Sequence, residues 1–369
     1  MERYKPHAID QSSLYRLTSK RRLATLLKMP LNDLLFLASL KDTNYQSWPL
    51  TQKRRDVLAG IPAKDARYIQ QPMPLLRAVH DQLALIFSRI EKPPFVYSAT
   101  KGRSYLDNAL QHKNEHAAFK VDIKSFYPSV KLKWVKRFFE RDLKCESDVA
   151  HFLAKLCCVG GMLPTGSPIS PVLSYFACAP VFLRMAEIAK QNELVFTLYV
   201  DDMVFSGAKA SRVVSTAVLR ELAANGFKGH KVAHFRPGQI RVITGVAVGP
   251  AGISIPYKRQ KRIRIFEEAF ARTKLPDDVA LLGRTLLGQY REGERLQRGS
   301  RERAKPIQER LDAIHAARFA DLTAVVPAKR KPTPRPKPNR DWTQKKIAQL
   351  REKHALVVQP VLAAVTSES

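Results

Sequence analysis

Two adjacent acids, Asp201 and Asp202, interrupt the stretch LYVDDMVFSG (198–207), between short runs rich in β-branched and aromatic residues. The flanks read as the arms of a hairpin, 195–200 and 203–206, with the Asp-Asp pair filling its two-residue turn, where Asp tolerates a positive φ. Alone, such a pair reads as an exposed, solvated turn. A third acid changes that reading. Asp122 lies 79 residues earlier in AAFKVDIKSFYPSV (117–130), at the end of a strand that also carries apolar Phe119, Val121 and Ile123. Three carboxylates gathered at adjacent strand ends repel one another unless a cation is supplied. Mg²⁺ takes a few carboxylates together with substrate phosphates. Two such ions about 4 Å apart can clamp an in-line phosphoryl displacement, one at the attacking hydroxyl and one at the leaving pyrophosphate.

The order of motifs narrows the chemistry. DIKSFYPS (122–129) is followed by LPTGSPISP (163–171) and then by YVDD (199–202). This series resembles the palm motifs of reverse transcriptases, over roughly residues 15–315. Within that superfamily the chain most resembles the bacterial retron reverse transcriptases. Their N-A-x-x-H pattern is matched by NALQH, from Asn108 to His112, and their V-T-G pattern is approached by VITGVAV, where Thr244 and Gly245 match.

The resemblance implies an α+β fold shaped as a right hand, with fingers, a palm built on an antiparallel sheet, and a helical thumb. It implies that Asp122, Asp201 and Asp202 bind two Mg²⁺ ions, with the backbone carbonyl of Ile123 as a further ligand. Tyr127 would pack under the sugar of the incoming nucleotide, where a ring clashes with a 2′-OH and so selects dNTPs. Arg67, in RYIQQP, resembles the fingers arginine that holds the triphosphate. Thr165 stands where the family usually has Gln, and beside it Gly166 would let template or nucleotide approach the backbone. In GFKGHKVAHF (226–235) the family's Asn and Lys positions hold His230 and Ala233, and by the resemblance Lys231 is the nearby candidate for a proton donor to the pyrophosphate. No His or Cys accompanies His112 at a metal-ligand spacing, so it reads as structural or RNA-contacting, like the other family positions Asn108, Thr244 and Gly245.

By the same resemblance the partners are a structured noncoding RNA acting as template and primer, its DNA product, dNTPs and an effector protein. Priming from a guanosine 2′-OH would give a branched RNA–DNA hybrid (msDNA) with a role in antiphage defence. Two other readings stay open: a different bacterial palm polymerase, of the group II intron or abortive-infection kind, and a catalytically silent RNA-binding protein.

These residues need elements to hold them. LYRLTSKRRLATLLKM and LNDLLFLASL have helical spacing and are separated by Pro30, so the first 60 residues read as helices. Residues 67–89 read as a short strand, a Pro-marked break and an amphipathic helix. A strand stopped by Pro128 carries Asp122, and helical periodicity returns over 131–158. A Gly- and Pro-rich loop at 160–171 leads into an apolar helix. After the hairpin, a helix over 211–225 closes at Asn225-Gly226, IRVITGVAV and GISIP are strand candidates, and 258–317 is helical and basic. The expected domains are N-terminal helices and fingers at 1–110, palm at 111–250, thumb at 251–325, and a basic extension at 326–369. In that extension VPAKRKPTPRPKPNR is an extended linker and 342–355 a short helix.

Bulk composition agrees with a polyanionic partner. Lys plus Arg number 63 against 33 Asp plus Glu, a net charge of +30 and a pI near 10.2. The last 44 residues hold 10 basic and 3 acidic side chains, so +23 belongs to the 325 residues before them. A charged groove in the body of the protein, rather than a tail, is therefore expected to hold phosphates. The four cysteines, Cys145, Cys157, Cys158 and Cys178, show neither zinc nor disulfide spacing and read as reduced core thiols. The N-terminus lacks a signal-peptide core and no apolar run reads as long enough to cross a bilayer, so a cytoplasmic, membrane-free protein is expected.

Overall fold

The computed structural model describes residues 6–63, 67–113, 115–297, 299–323, 348, 349, 351 and 352. In chain order the first elements are α1 (Lys20–Leu26), α2 (Leu31–Leu40), β1 (Tyr45–Pro49), α3 (Arg54–Leu58), β2 (Tyr68–Pro72), α4 (Pro74–Ser88) and α5 (Tyr105–Leu110). Next come β3 (Ala118–Ile123), α6 (Phe126–Ser129), α7 (Leu132–Arg137), α8 (Ser147–Cys157), α9 (Ser170–Gln191), β4 (Val195–Tyr199), β5 (Asp202–Ser206), α10 (Arg212–Ala224) and β6 (Gly229–Phe235). The last are β7 (Arg241–Ile243), β8 (Val246–Gly249), β9 (Gly252–Ser254), α11 (Tyr257–Arg272), α12 (Pro276–Glu294) and α13 (Ser300–Thr323). The class is α+β, as expected, and all pairings between these strands are antiparallel.

The chain forms two compact units: residues 1–49, 67–239 and 340–369 in one, 50–66 and 240–339 in the other. The first is organised around a four-stranded sheet of order β4-β5-β3-β6. Its register is set by apolar cross-strand pairs. Phe196 and Phe119 both stand opposite Phe205 on β5, and both rings stack on it at 4.7 Å. Each such pair contributes roughly 0.2–1 kcal/mol and disfavours a one-residue slip, which would turn every side chain to the opposite face. Counting three residues along each strand from this aromatic row reaches Asp122 and Asp202, so packing at one end of the sheet aligns the acids at the other.

Helix α9 lies in the core of this unit, burying among others Leu173, Phe176, Phe182 and Met185. It is long and apolar enough to cross a membrane by length and composition, contrary to expectation, yet 67% of its most apolar window is buried inside the protein, the burial of a core helix. Helix α4 starts with Pro74 at its first turn and buries Leu76, His80, Leu83 and Phe87 along one stripe. The four cysteines are free and buried, and burial pushes the Cys157 and Cys178 thiols well above their ordinary range.

The second unit combines the three-stranded β7-β8-β9 sheet with helices α3, α11, α12 and α13. Its core joins Ala59 to Phe266, Phe270, Leu282, Leu286 and Leu311. Arg54 pairs with the buried Asp278 at 2.7 Å, and Arg262 with Asp56 at 2.7 Å.

Several local expectations change. The first 60 residues are not all helical: Tyr45–Pro49 is a strand because it pairs with Tyr68–Pro72, and Leu14–Arg16 is a turn before the helix that Ser19 caps. Strand β6, unforeseen because its own sequence lacks alternation, is held by pairing with β3. Pro128 does not stop β3, which already ends at Ile123; it lies within α6. The expected linker at 326–340 lies outside the described residues. So does most of the expected final helix, of which Ala348, Gln349, Arg351 and Glu352 are helical. There Arg351 donates to Asp33 Oδ2 through Nε at 2.9 Å and through Nη2 at 2.6 Å.

Candidate active site

The β3–β5 ladder places Asp122 directly opposite Asp202, and the β4–β5 ladder places Tyr199 opposite Asp202. The two residues of the hairpin loop are therefore Val200 and Asp201, not the expected Asp-Asp pair, and Asp202 opens strand β5. The positive φ falls on Val200, at 61°. A β-branched residue is strained in this conformation, which concentrates at functional sites.

The loop is held from two sides. The Ile123 N–H donates to the Asp201 carbonyl at 3.2 Å, which ties it to β3. On the other edge the segment before α5 runs beside β4: Leu198 N–H donates to Phe95 O at 2.8 Å, and Tyr97 N–H to Leu198 O at 2.9 Å. This alignment brings the buried Ser98 hydroxyl to 2.9 Å from the Val200 N–H, which it accepts. Arg103 shapes the same segment by donating to the carbonyls of Pro93, Pro94 and Val96 at 3.2, 2.7 and 2.8 Å.

Burial first, and then the charge of Asp122, lift Asp201 to about 6, with Asp202 and a hydrogen bond to Asp122 adding to the shift. Carboxylates crowded in this way favour a cation. The donors are hard oxygens, so the set fits Mg²⁺ or a similar ion better than a soft metal. Among the described residues no group of three or more His, Cys, Asp or Glu side chains is assembled as a ready cage. A cation of the protein's own stands there instead: Lys231 Nζ lies 3.1 Å from Asp122 Oδ2. Tyr127, half-buried in α6, has its hydroxyl pushed above the usual tyrosine range by burial and by the charge of Asp201, which places it in the same field. Asp122, Ile123, Tyr127, Asp201 and Asp202 are thus brought together.

The loop after α8 forms a second layer. Thr165 Oγ1 donates to Tyr68 O at 2.9 Å and accepts from Gln70 N at 3.3 Å, so its hydroxyl occupies the edge of β2. Gly166 N–H donates to Gln70 O at 3.0 Å. A Cβ on Gly166 would lie 2.6 Å from Ile69 Cγ2 and 2.8 Å from that carbonyl. The close approach at this glycine is made by the protein's own strand β2. Arg67 is exposed, immediately before that strand.

His80 supports the same loop. Its Nε2 is 2.7 Å from the Leu156 carbonyl and must donate, since a carbonyl only accepts; Nδ1 therefore accepts from the Ser167 hydroxyl at 2.6 Å. Ser167 in turn accepts from the Ile169 N–H at 3.3 Å. His80 had not been singled out in the sequence, although a histidine on an apolar helical stripe flanked by Leu76 and Leu83 is a visible signal. Ser98 carries no such signal.

His112 is fully buried and bonds Ser206 Oγ through Nδ1 at 2.7 Å and Thr197 Oγ1 through Nε2 at 2.8 Å. It thereby joins strands β4 and β5 from within the core. The short helix α5 that leads to it is started by a capping box between Ser104 and Asp107. Asn108, one turn before His112, is also fully buried, and among the described residues its amide N and O find no partner. Thr244 and Gly245 lie in the second unit, as the two-residue turn between β7 and β8, both at positive φ (45° and 84°). That geometry is the hairpin turn in which glycine is favoured.

Residues 52–231 match the family model described as reverse transcriptase (RNA-dependent DNA polymerase). The chain is 28% identical over 298 residues to the Retron Mx162 reverse transcriptase of Myxococcus xanthus, a match covering 70% of this chain and 59% of that protein. It is 27% identical over 208 residues to the Retron Ec86 reverse transcriptase of Escherichia coli, covering 55% of this chain and 65% of that protein. The chain thus spans about six-tenths of the length of these curated relatives. A solved foamy viral protease-reverse transcriptase in complex with double-stranded DNA aligns at a TM-score of 0.40 and 14% identity, over 97% of this chain and 52% of that one.

Proposed function

We propose that this chain belongs to the reverse transcriptase family, of the bacterial retron kind, and that it is an RNA-directed DNA polymerase whose reaction centres on Asp122, Asp201 and Asp202. The observation that carries the reading is the cross-strand placement of Asp122 opposite Asp202, with Asp201 in the loop between β4 and β5.

In this reading the three carboxylates hold divalent metal, two Mg²⁺ ions, with the Ile123 carbonyl beside them. When bound, the metal supplies positive charge to activate a 3′-hydroxyl and to stabilise the leaving pyrophosphate. The protein's own contribution is positional. Ile123 and Ser98 fix the Asp201 loop, the aromatic row fixes the Asp122–Asp202 register, and Tyr127 presents a ring where a ribose 2′-OH would collide, favouring dNTPs. Arg67 would meet the triphosphate from the strand that Thr165 and Gly166 anchor.

The nucleic acid is held chiefly by charge. Helix α11 exposes Tyr257, Lys258, Lys261 and Arg264, a cationic face with an aromatic at its start that suits a phosphate backbone. In the same reading a cognate structured RNA serves as template and primer, the product is a branched RNA–DNA hybrid (msDNA), and the protein resides in the cytoplasm and serves antiphage defence with an effector protein.

The test is to express the chain with the RNA encoded beside its reading frame, purify the bound nucleic acid, and digest it with RNase and debranching enzyme. A debranching-sensitive DNA species is expected from the wild type and from neither Asp201→Asn nor Asp202→Asn. DNA synthesis on generic templates without a branched product would favour a different palm polymerase, and RNA binding indifferent to Asp201→Asn with no synthesis in the wild type would favour a silent RNA-binding protein.

A further inference from the structure

We propose that Lys231 is the resident counter-ion of the carboxylate cluster, occupying the place of a divalent ion by charge until such an ion displaces it, and so setting how readily the free enzyme takes up metal. The inference rests on the polymerase reading above.

The first observation is a bulge. The β3–β6 ladder pairs Lys120 with Ala233 and Asp122 with His230, so Lys231 and Val232 together face the single residue Val121. In a regular ladder the residue after His230 would point to the face opposite Asp122, toward the buried side where Val121 packs. An inserted residue re-aims a side chain, and bulges recur beside active sites for that reason. The second observation is conformational. Lys231 takes φ of 49°, the left-handed region that a residue with a Cβ enters only when its surroundings hold it there. The third is the outcome: the ammonium stands 3.1 Å from Asp122 Oδ2, with the Lys231 side chain 59% exposed and that of Asp122 25% exposed.

A bulge, a disfavoured backbone and an ion pair on a proposed metal ligand coincide at one residue. A divalent ion seated on Asp122 would meet this ammonium at close range, and like charges so near repel. Lys231 must then leave. Its flexible four-carbon stem and open side allow that without moving the strand.

The experiment uses the full chain freed of nucleic acid, with no nucleotide present, and Mn²⁺ as the probe, its free concentration read by electron paramagnetic resonance. Lys231→Met should bind Mn²⁺ about two- to fivefold more tightly than the wild type, the size expected for a partly exposed ion pair. Lys231→Arg, which keeps the charge, should stay near the wild type, and the gain in Lys231→Met should vanish when Asp201→Asn is added. Equal or weaker Mn²⁺ binding by a folded Lys231→Met protein would overturn the proposal. If binding still depends on Asp201, the metal reading survives without the counter-ion; if Asp201→Asn changes nothing in either background, both fail.

Discussion

The Ser98 hydroxyl accepts the backbone N–H of Val200 at 2.9 Å, across 102 residues of sequence, and it does so at the one non-glycine position of the β4–β5 loop with a positive φ. A strained backbone keeps its conformation only while its neighbours hold it, and Asp201 is the next residue. Ser98→Ala should cost about 1–2 kcal/mol of stability for the orphaned N–H. It should also slow dNTP incorporation about tenfold, the rate equivalent of about 1.4 kcal/mol. Thermal melting and single-turnover extension check the two parts separately. A variant that melts lower yet extends primers at the wild-type rate would confine Ser98 to stability.

His112 joins Thr197 to Ser206 while fully buried. His112→Ala should therefore destabilise the fold by about 2–4 kcal/mol, from a lost core side chain and two unpaired hydroxyls. The affinity of the remaining folded protein for RNA should not change. A large loss of RNA affinity at temperatures where the variant is still folded would contradict a purely structural role for this residue.

Gly166 has no room for a side chain, because a Cβ would meet both Ile69 Cγ2 and the Gln70 carbonyl. Gly166→Ala should cost about 1–3 kcal/mol as the loop is pushed from β2. Adding Ile69→Ala should recover little, since the backbone carbonyl remains in place. Substantial rescue in that double variant, by melting or by nucleotide KM, would show that the side chain rather than the strand sets the spacing.

Burial holds the neutral form of His80, whose pKa falls from 6.5 to about 4, with the nearby charge of Arg77 acting in the same direction. The unfolded chain then binds the extra proton between these values and the folded chain does not. Stability from this residue is present above pH 6.5 and is lost as pH falls toward 4, by roughly 3 kcal/mol in total. Melting curves at pH 7 and pH 4.5 should show a smaller acid loss for His80→Gln than for the wild type. Parallel losses in the two proteins would remove His80 from the acid response.

The parts of the site that could be read in the sequence are those written in local pattern. The alternation of Phe119, Val121 and Ile123 beside Asp122, and the apolar arms around Asp201 and Asp202, identify two strands and their acids. The ladder then pairs Asp122 with Asp202, as such strands require. What could not be read there depends on partners distant in sequence. Tyr45–Pro49 is a strand only because β2 lies beside it, and Lys231 reaches Asp122 only through a bulge opposite Val121. The turn was misplaced by one residue because propensity favours Asp over Val at positive φ. The register imposed by the Phe196–Phe205–Phe119 row overrides that preference.

The core of the second unit sets an order on synthesis. Ala59 and Leu58 in one short stretch, and Phe266, Leu282 and Leu311 in another, belong to one apolar cluster, with Asp56 and Arg262 joined across the same seam. Roughly two hundred residues must leave the ribosome between the two halves, on the order of 10–40 s at ordinary elongation rates. Through that interval helix α3, five residues long, has no core to bury against and is too short to persist alone. The nascent chain therefore exposes Leu58 and Ile61 until α11 and α12 emerge, and slowed translation before residue 260 is where chaperone demand should be greatest.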